Sequence, residues 1–197
     1  MKKFNLILEN MTADQVVDHI YKSYFDIVTK QIAKFKDLKK SPVDPALVLA
    51  IIHQESKGHP FASRYEPAFY KWLSAKIVGK DLAPFVKLQS RDTEMQLRST
   101  SFGVGQIMGQ TARECGFTGT FLTELCDPEV NIYFMLVYLD KLAKRYTELN
   151  DIIAAYNAGS AKRNNYNNYT NQSYVNEVTD KLFLVRKRFF NKETELV

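Results

Sequence analysis

One carboxylate stands out by its place in the chain. Glu55 closes the run Pro45-Ala46-Leu47-Val48-Leu49-Ala50-Ile51-Ile52-His53-Gln54-Glu55-Ser56. Asp44 is a helix-capping residue type and Pro45 suits the first helical position. Ala46 to Ile52 are all apolar, so this helix is expected to be buried on nearly every side, and Gly58 is a stop signal just beyond it. A carboxylate in the last turn faces the negative end of the helix dipole and an apolar surround. Both disfavour the ionised form, and a glutamate kept protonated near neutral pH is what a general acid needs. The plain alternative is an exposed glutamate on a helix end, and Glu55 by itself does not choose between the two.

The other candidates are fewer. Glu66 stands two residues from Arg64, which reads as an ion pair bracing a loop, and Glu94 lies in the polar stretch Arg91 to Arg98. Either one, placed across from Glu55, could orient a water. His53 is two residues before Glu55, so it points to another side of the helix and reads as a packed or surface histidine. Gly103, Gly105 and Gly109 punctuate the segment Ser99 to Gln110 and demand a tight backbone or a close approach. This segment has neither the lysine of a phosphate-binding loop nor the preceding strand of a dinucleotide fingerprint. Cys115 and Cys126 are too few for a disulfide framework and lack the spacing of a zinc site, so free buried thiols are expected, with no metal and no cofactor.

The elements that must position these residues are helical. Residues 12–36 carry Val16, Val17, Ile20, Tyr24, Ile27, Val28, Ile32 and Phe35 at helical spacing. Residues 68–79 read as a helix with Phe69, Trp72, Leu73 and Ile77 inward, ended by Gly79. Leu82, Phe85, Val86 and Leu88 suggest packing in the stretch that follows. Thr111 with Glu114 has the form of a capping box opening a short helix that Gly116 ends. Asp127-Pro128 repeats the cap-plus-proline signature before a strongly apolar helix. A short helix at about 150–157, an asparagine- and tyrosine-rich loop over 164–174, and a last amphipathic helix bearing Val175, Val178, Leu182, Val185 and Phe189 complete the chain. Alternating strand patterns are almost absent. The expected class is mainly α, with a small β-hairpin or irregular lobe in 60–100. Residues 1–40 read as an N-terminal helical extension packed on a domain over 41–197.

The 197-residue chain carries a net charge of +5, a mild bias toward anionic partners. It has no arginine-rich block and no nucleic-acid motif, so nucleic acid is not an expected partner. The start, Met1-Lys2-Lys3 followed by a few apolar residues, mimics a signal peptide, but Glu9 and Asn10 cut it short. No apolar run reaches the length of a membrane span.

Three separated motifs occur in order: Glu55-Ser56 closing an apolar helix, Gly103-Val104-Gly105-Gln106 in a glycine-rich turn, and Ala155-Tyr156-Asn157-Ala158-Gly159 ending a later helix. Together they resemble the catalytic domain of soluble lytic transglycosylases, lysozyme-like enzymes that cleave peptidoglycan, over roughly residues 42–190. The segments Arg64-Tyr65-Glu66-Pro67 and Leu125-Cys126-Asp127-Pro128-Glu129 are similar to a variant among bacteriophage and mobile-element members. One departure is visible: the second motif commonly reads Gly-Leu-Met-Gln, and here Val104 and Gly105 take the middle places.

The resemblance implies cleavage of the β-1,4 bond between N-acetylmuramic acid and N-acetylglucosamine, with Glu55 as general acid and then base and a 1,6-anhydro product. It implies that Ser56 steadies the site, that Gln106, with Gly103 in its turn, contacts substrate, and that Tyr156 sets its hydroxyl near Glu55. Asn157 would bind substrate or hold its loop. Tyr166, Tyr169 and Tyr174 would line a sugar groove or pack the loop. A second carboxylate, Glu66 or Glu94, would make the enzyme a hydrolytic muramidase similar to goose-type lysozymes. A non-catalytic glycan-binding module is the reading from another class. A monomer acting on peptidoglycan outside the membrane is expected, delivered by a phage lysis system, a virion or a secretion machine.

Overall fold

The computed structural model describes residues 11–77 and 82–190. Within them lie eight α-helices and three short strands. In chain order these are α1 (Ala13–Ile32), α2 (Pro45–Ser56), β1 (Ser63–Tyr65), α3 (Pro67–Lys76), α4 (Arg91–Arg98), β2 (Thr100–Phe102), β3 (Ile107–Met108), α5 (Gly109–Glu114), α6 (Pro128–Arg145), α7 (Leu149–Ala158) and α8 (Gln172–Phe189). The chain forms two compact units: His59–Val137, and the segments on either side of it taken together. The expected mainly α class holds.

The discontinuous unit is built around α2. Asp44 caps this helix by accepting from the Leu47 amide at 2.8 Å, with Pro45 in the first turn. Ala46 to His53 are all buried, as an apolar run without a polar face requires. The helix packs against α8 and α1. From α1 come Val16, Val17, Ile20, Tyr24 and Val28, and from α8 come Tyr174, Val175, Val178, Leu182 and Val185. Arg188 fastens the two outer helices by donating through Nε and Nη2 to the two oxygens of Asp18, each at 2.6 Å. Tyr21 stacks on Phe189 with ring centroids 3.9 Å apart. α1 is shorter than its apolar pattern, ending at Ile32 with Ala33 as cap.

The end of α2 is held closely. Lys57 turns left-handed at φ 54° and Gly58 follows at φ 81°. The Tyr24 hydroxyl donates to the Gly58 carbonyl at 2.7 Å, and a Cβ at Gly58 would stand 2.9 Å from Ile20 Cγ1. A side chain therefore fits Gly58 neither in conformation nor in space.

In the His59–Val137 unit, β1, β2 and β3 form an antiparallel sheet in that order, pairing Arg64 with Ser101 and Phe102 with Ile107. The sheet thus extends past residue 100, because the glycine-rich turn itself joins β2 to β3. Leu73, Ile77, Leu82 and Met95 make a small core, with Phe69, Tyr70 and Val86 packed on it.

Three local expectations are corrected. Trp72 is 53% exposed and Leu88 73% exposed. α3 itself buries only Leu73, in line with its cap residue Ile77 four positions on, and Trp72 lies off that stripe. Helix α5 opens at Gly109 with Met108 as cap, so Thr111 lies inside it and Glu114 accepts from Gln110 Nε2 at 2.8 Å instead of closing a capping box. The stretch Arg91 to Arg98 is a full helix, capped by Ser90, whose Oγ accepts from the Thr93 amide. Gly79 and the first ten residues lie outside the described residues. Asp127 does cap α6, accepting at Oδ1 from the Glu129 and Val130 amides. Ile132, Met135, Leu136 and Leu139 are fully buried along that helix. No described helix is long and apolar enough to cross a membrane.

Candidate active site

Glu55 is half-buried at the end of α2. The Tyr174 hydroxyl, from the first turn of α8, donates to Glu55 Oε1 at 2.5 Å. Tyr174 is 9% exposed. Burial, then the Glu55 charge and the hydrogen bond to it, hold the phenol pKa well above its ordinary value. Tyr174 therefore stays protonated and remains a donor across the working pH range. The Glu177 charge raises the phenol pKa further. Tyr156 is buried in α7, its ring 5.6 Å from that of Tyr138. The adjacent Gln54 donates to Glu177 Oε2 at 2.8 Å.

The neighbouring residues brace this corner. Ser56 Oγ accepts from the Gly58 amide at 3.1 Å, which ties the serine to the turn that closes α2. His53 is 7% exposed, and its Nδ1 has no hydrogen-bond partner among the described residues. Burial, with Lys181 and Lys57 near, lowers its pKa to about 4, so it is a neutral packed imidazole at pH 7. Asn157 is exposed, and its Oδ1 accepts from Asn171 Nδ2, which also donates to the Ala154 carbonyl, both at 3.0 Å. Asn157 thus holds the loop that leads into α8. Within that loop Tyr169 is buried and donates to Asp151 Oδ1 at 2.5 Å, with Arg163 stacked 4.1 Å from its ring. Tyr166 is 86% exposed. Of the three tyrosines, Tyr169 packs the loop, Tyr174 reaches Glu55, and Tyr166 faces solvent.

Gly103 and Gln106 belong to the other unit. Gly103 has φ 73°, and a Cβ there would stand 2.3 Å from Asn131 Nδ2 and 2.4 Å from the Leu125 carbonyl oxygen. Only glycine satisfies both demands. Asn131, fully buried in α6, clamps this turn: its Nδ2 donates to the Phe102 and Leu125 carbonyls, and its Oδ1 accepts from the Gly105 amide, each at 2.8 Å. Gln106 stands at φ 48° and donates through Nε2 to the Ala62 and Gly103 carbonyls, each at 2.9 Å. Val104 and Gly105, the departure from the common motif, are both buried.

The two further carboxylates are engaged in the same unit. Arg64 Nε donates to Glu66 Oε1 at 2.5 Å, and the Glu66 amide donates to the Ser99 carbonyl at 2.8 Å, so Glu66 braces its loop. Glu94 is fully buried. Its Oε1 accepts from Arg98 Nε at 2.7 Å and Arg113 Nε at 2.9 Å, and its Oε2 from Arg113 Nη2 at 3.0 Å and Gln89 Nε2 at 2.8 Å. This carboxylate is thus out of water with both oxygens doubly engaged, the arrangement of a buried ion cluster. Cys115 and Cys126 are half-buried, less enclosed than the buried thiols expected. Among the described residues no group of histidine, cysteine, aspartate or glutamate side chains could hold a metal.

Two residues, one in each unit, have roles that the sequence alone does not assign. The sequence places Tyr174 only as a groove or loop residue, and nothing local to it signals a partner on α2. Asn131 had a signal: it interrupts the apolar run of α6 on its buried face, where a polar side chain needs partners.

The chain belongs to the family described as the Transglycosylase SLT domain, whose model matches residues 33–178. No curated protein and no solved structure matches it significantly. Among the described residues, eight α-helices with one small antiparallel sheet agree with the lysozyme-like form of that family. Membership makes the chain a transglycosylase-type domain directed at peptidoglycan.

Proposed function

We propose that this chain is a lytic transglycosylase that cleaves the β-1,4 bond between N-acetylmuramic acid and N-acetylglucosamine. The observation that supports this reading best is the Tyr174 hydrogen bond to Glu55 at the end of a helix buried from Ala46 to His53. A lone carboxyl group that serves as acid and then as base must be held in one orientation through both steps. The anchored Tyr174 hydroxyl is a fixed donor for its ionised form.

In the first step Glu55 donates its proton to the bridging oxygen, the C1–O bond of the muramoyl unit breaks, and N-acetylglucosamine leaves as the alcohol. Glu55, now ionised and stabilised by Tyr174, takes the proton from the muramoyl C6 hydroxyl. That oxygen closes on C1, giving the 1,6-anhydro end and restoring protonated Glu55. No water is consumed. Gln106 has committed both amide hydrogens to its own turn, so its Oε1 is the atom that would accept from a sugar amide or hydroxyl. Ser56 and Asn157 support the corner. The enzyme would act as a monomer on the cell wall, delivered by a phage lysis system, a virion or a secretion machine.

Digestion of purified peptidoglycan followed by mass spectrometry tests the reaction class. Anhydro-muramoyl ends support it. Reducing ends, heavier by one water, would assign hydrolysis, and undigested wall would leave only glycan binding.

A further inference from the structure

We propose a second carbohydrate-binding site in the His59–Val137 unit, built on Trp72 and taking N-acetylhexosamine units of a glycan strand. It rests on the reading that the chain acts on an amino-sugar polymer. Trp72 is the single tryptophan of the chain and is 53% exposed on α3, a helix that buries Leu73 beside it. A large amphipathic ring exposed at the edge of a cleft is suited to a binding face. Phe69 flanks the indole with ring centroids 5.2 Å apart.

Trp72 opens onto a cleft of about 340 Å³ shared with Lys76, Leu82, Gln110 and Glu114. That volume is at the small end for a ligand site and suits a sugar ring or two. The polar rim is ordered before any ligand arrives. Glu94 fixes Arg98 at 2.7 Å, Arg98 Nη1 donates to Gln110 Oε1 at 3.3 Å, and Gln110 Nε2 donates to Glu114 Oε1 at 2.8 Å. The buried ion cluster therefore sets the angle of an amide and a carboxylate beside an indole plane. A pyranose is matched by that set: its C–H face stacks on the indole, its hydroxyls donate to Glu114, and the Lys76 ammonium donates to an acetamido carbonyl. Apolar contact with two or three directed polar groups is the usual composition of a small-ligand site.

The single tryptophan gives a direct readout on the full chain. Fluorescence titration with triacetylchitotriose, which lacks muramic acid, is expected to give a saturable change that maltotriose does not give. Gln110→Ala and Glu114→Ala, each confirmed folded by circular dichroism, are expected to weaken that response at least tenfold. A silent wild-type titration, an equal response to maltotriose, or an unchanged response in both variants overturns the site. Clearing of peptidoglycan is measured in parallel. Clearing with a silent Trp72 removes this site and leaves the catalytic reading intact. A chitotriose response without clearing supports the site and counts against the catalytic reading.

Discussion

The Tyr174 hydroxyl donates to Glu55 Oε1 across 2.5 Å, joining residues 119 positions apart. The bond favours the ionised carboxylate, the form needed for the second half of the reaction, while the buried phenol itself stays protonated. Tyr174→Phe removes the donor and keeps the ring. The expected result is a fall in kcat of roughly tenfold with little change in KM, the scale of one hydrogen bond to a charged group. An unchanged kcat would contradict this role.

Glu94 holds two arginines in a fully buried cluster, so its replacement leaves their charges without a counter-ion. Glu94→Gln is expected to cost roughly 3–5 kcal/mol of stability in denaturant unfolding. Turnover per folded molecule, measured at low temperature, is expected to stay near wild type. Loss of turnover without loss of stability would return Glu94 to the chemistry.

Asn131→Ala orphans two carbonyls and the Gly105 amide in a buried place. It is expected to destabilise the chain by roughly 3 kcal/mol. Gly103→Ala is expected to cost roughly 2 kcal/mol or more, from the left-handed backbone and the approach of the Leu125 carbonyl. Thermal melts of both variants check these values.

His53 gives the fold an acid sensitivity. Its folded pKa is lowered to about 4, while the unfolded chain takes up that proton near the ordinary 6.5. Between those two values the unfolded state binds more protons than the native one, so stability falls as pH drops through this window and levels off below about 4. The loss is on the order of 3 kcal/mol. His53→Leu is expected to flatten the part of the melting-temperature curve between pH 6.5 and 4. An equally steep curve in the variant would refute the assignment.

Much of this was legible in the chain, for local reasons. Asp44-Pro45 and Asp127-Pro128 announce two helices because capping is a short-range interaction. The run Ala46 to Ile52 announces burial because an apolar helix has no face to offer water. Trp72 was misplaced because helical spacing gives a face but not its width, and α3 buries only a narrow one. Thr111 and Glu114 have the capping-box types, yet Gly109 opens the helix because β3 ends directly before it. Tyr174 could not be assigned from its neighbours, since its partner comes from a distant helix. The Arg98 contact to Glu94 follows helical spacing, whereas the Arg113 contact spans 19 residues and carries no such pattern.

The most direct measurement compares wild type with Glu55→Gln for release of soluble fragments from purified peptidoglycan. The substitution keeps size and hydrogen bonding while removing the transferable proton. A loss of at least about a hundredfold, with the melting temperature unchanged, is the expected result. Clearing at the wild-type rate would contradict Glu55 as the catalytic acid and, with it, the mechanism built on that residue.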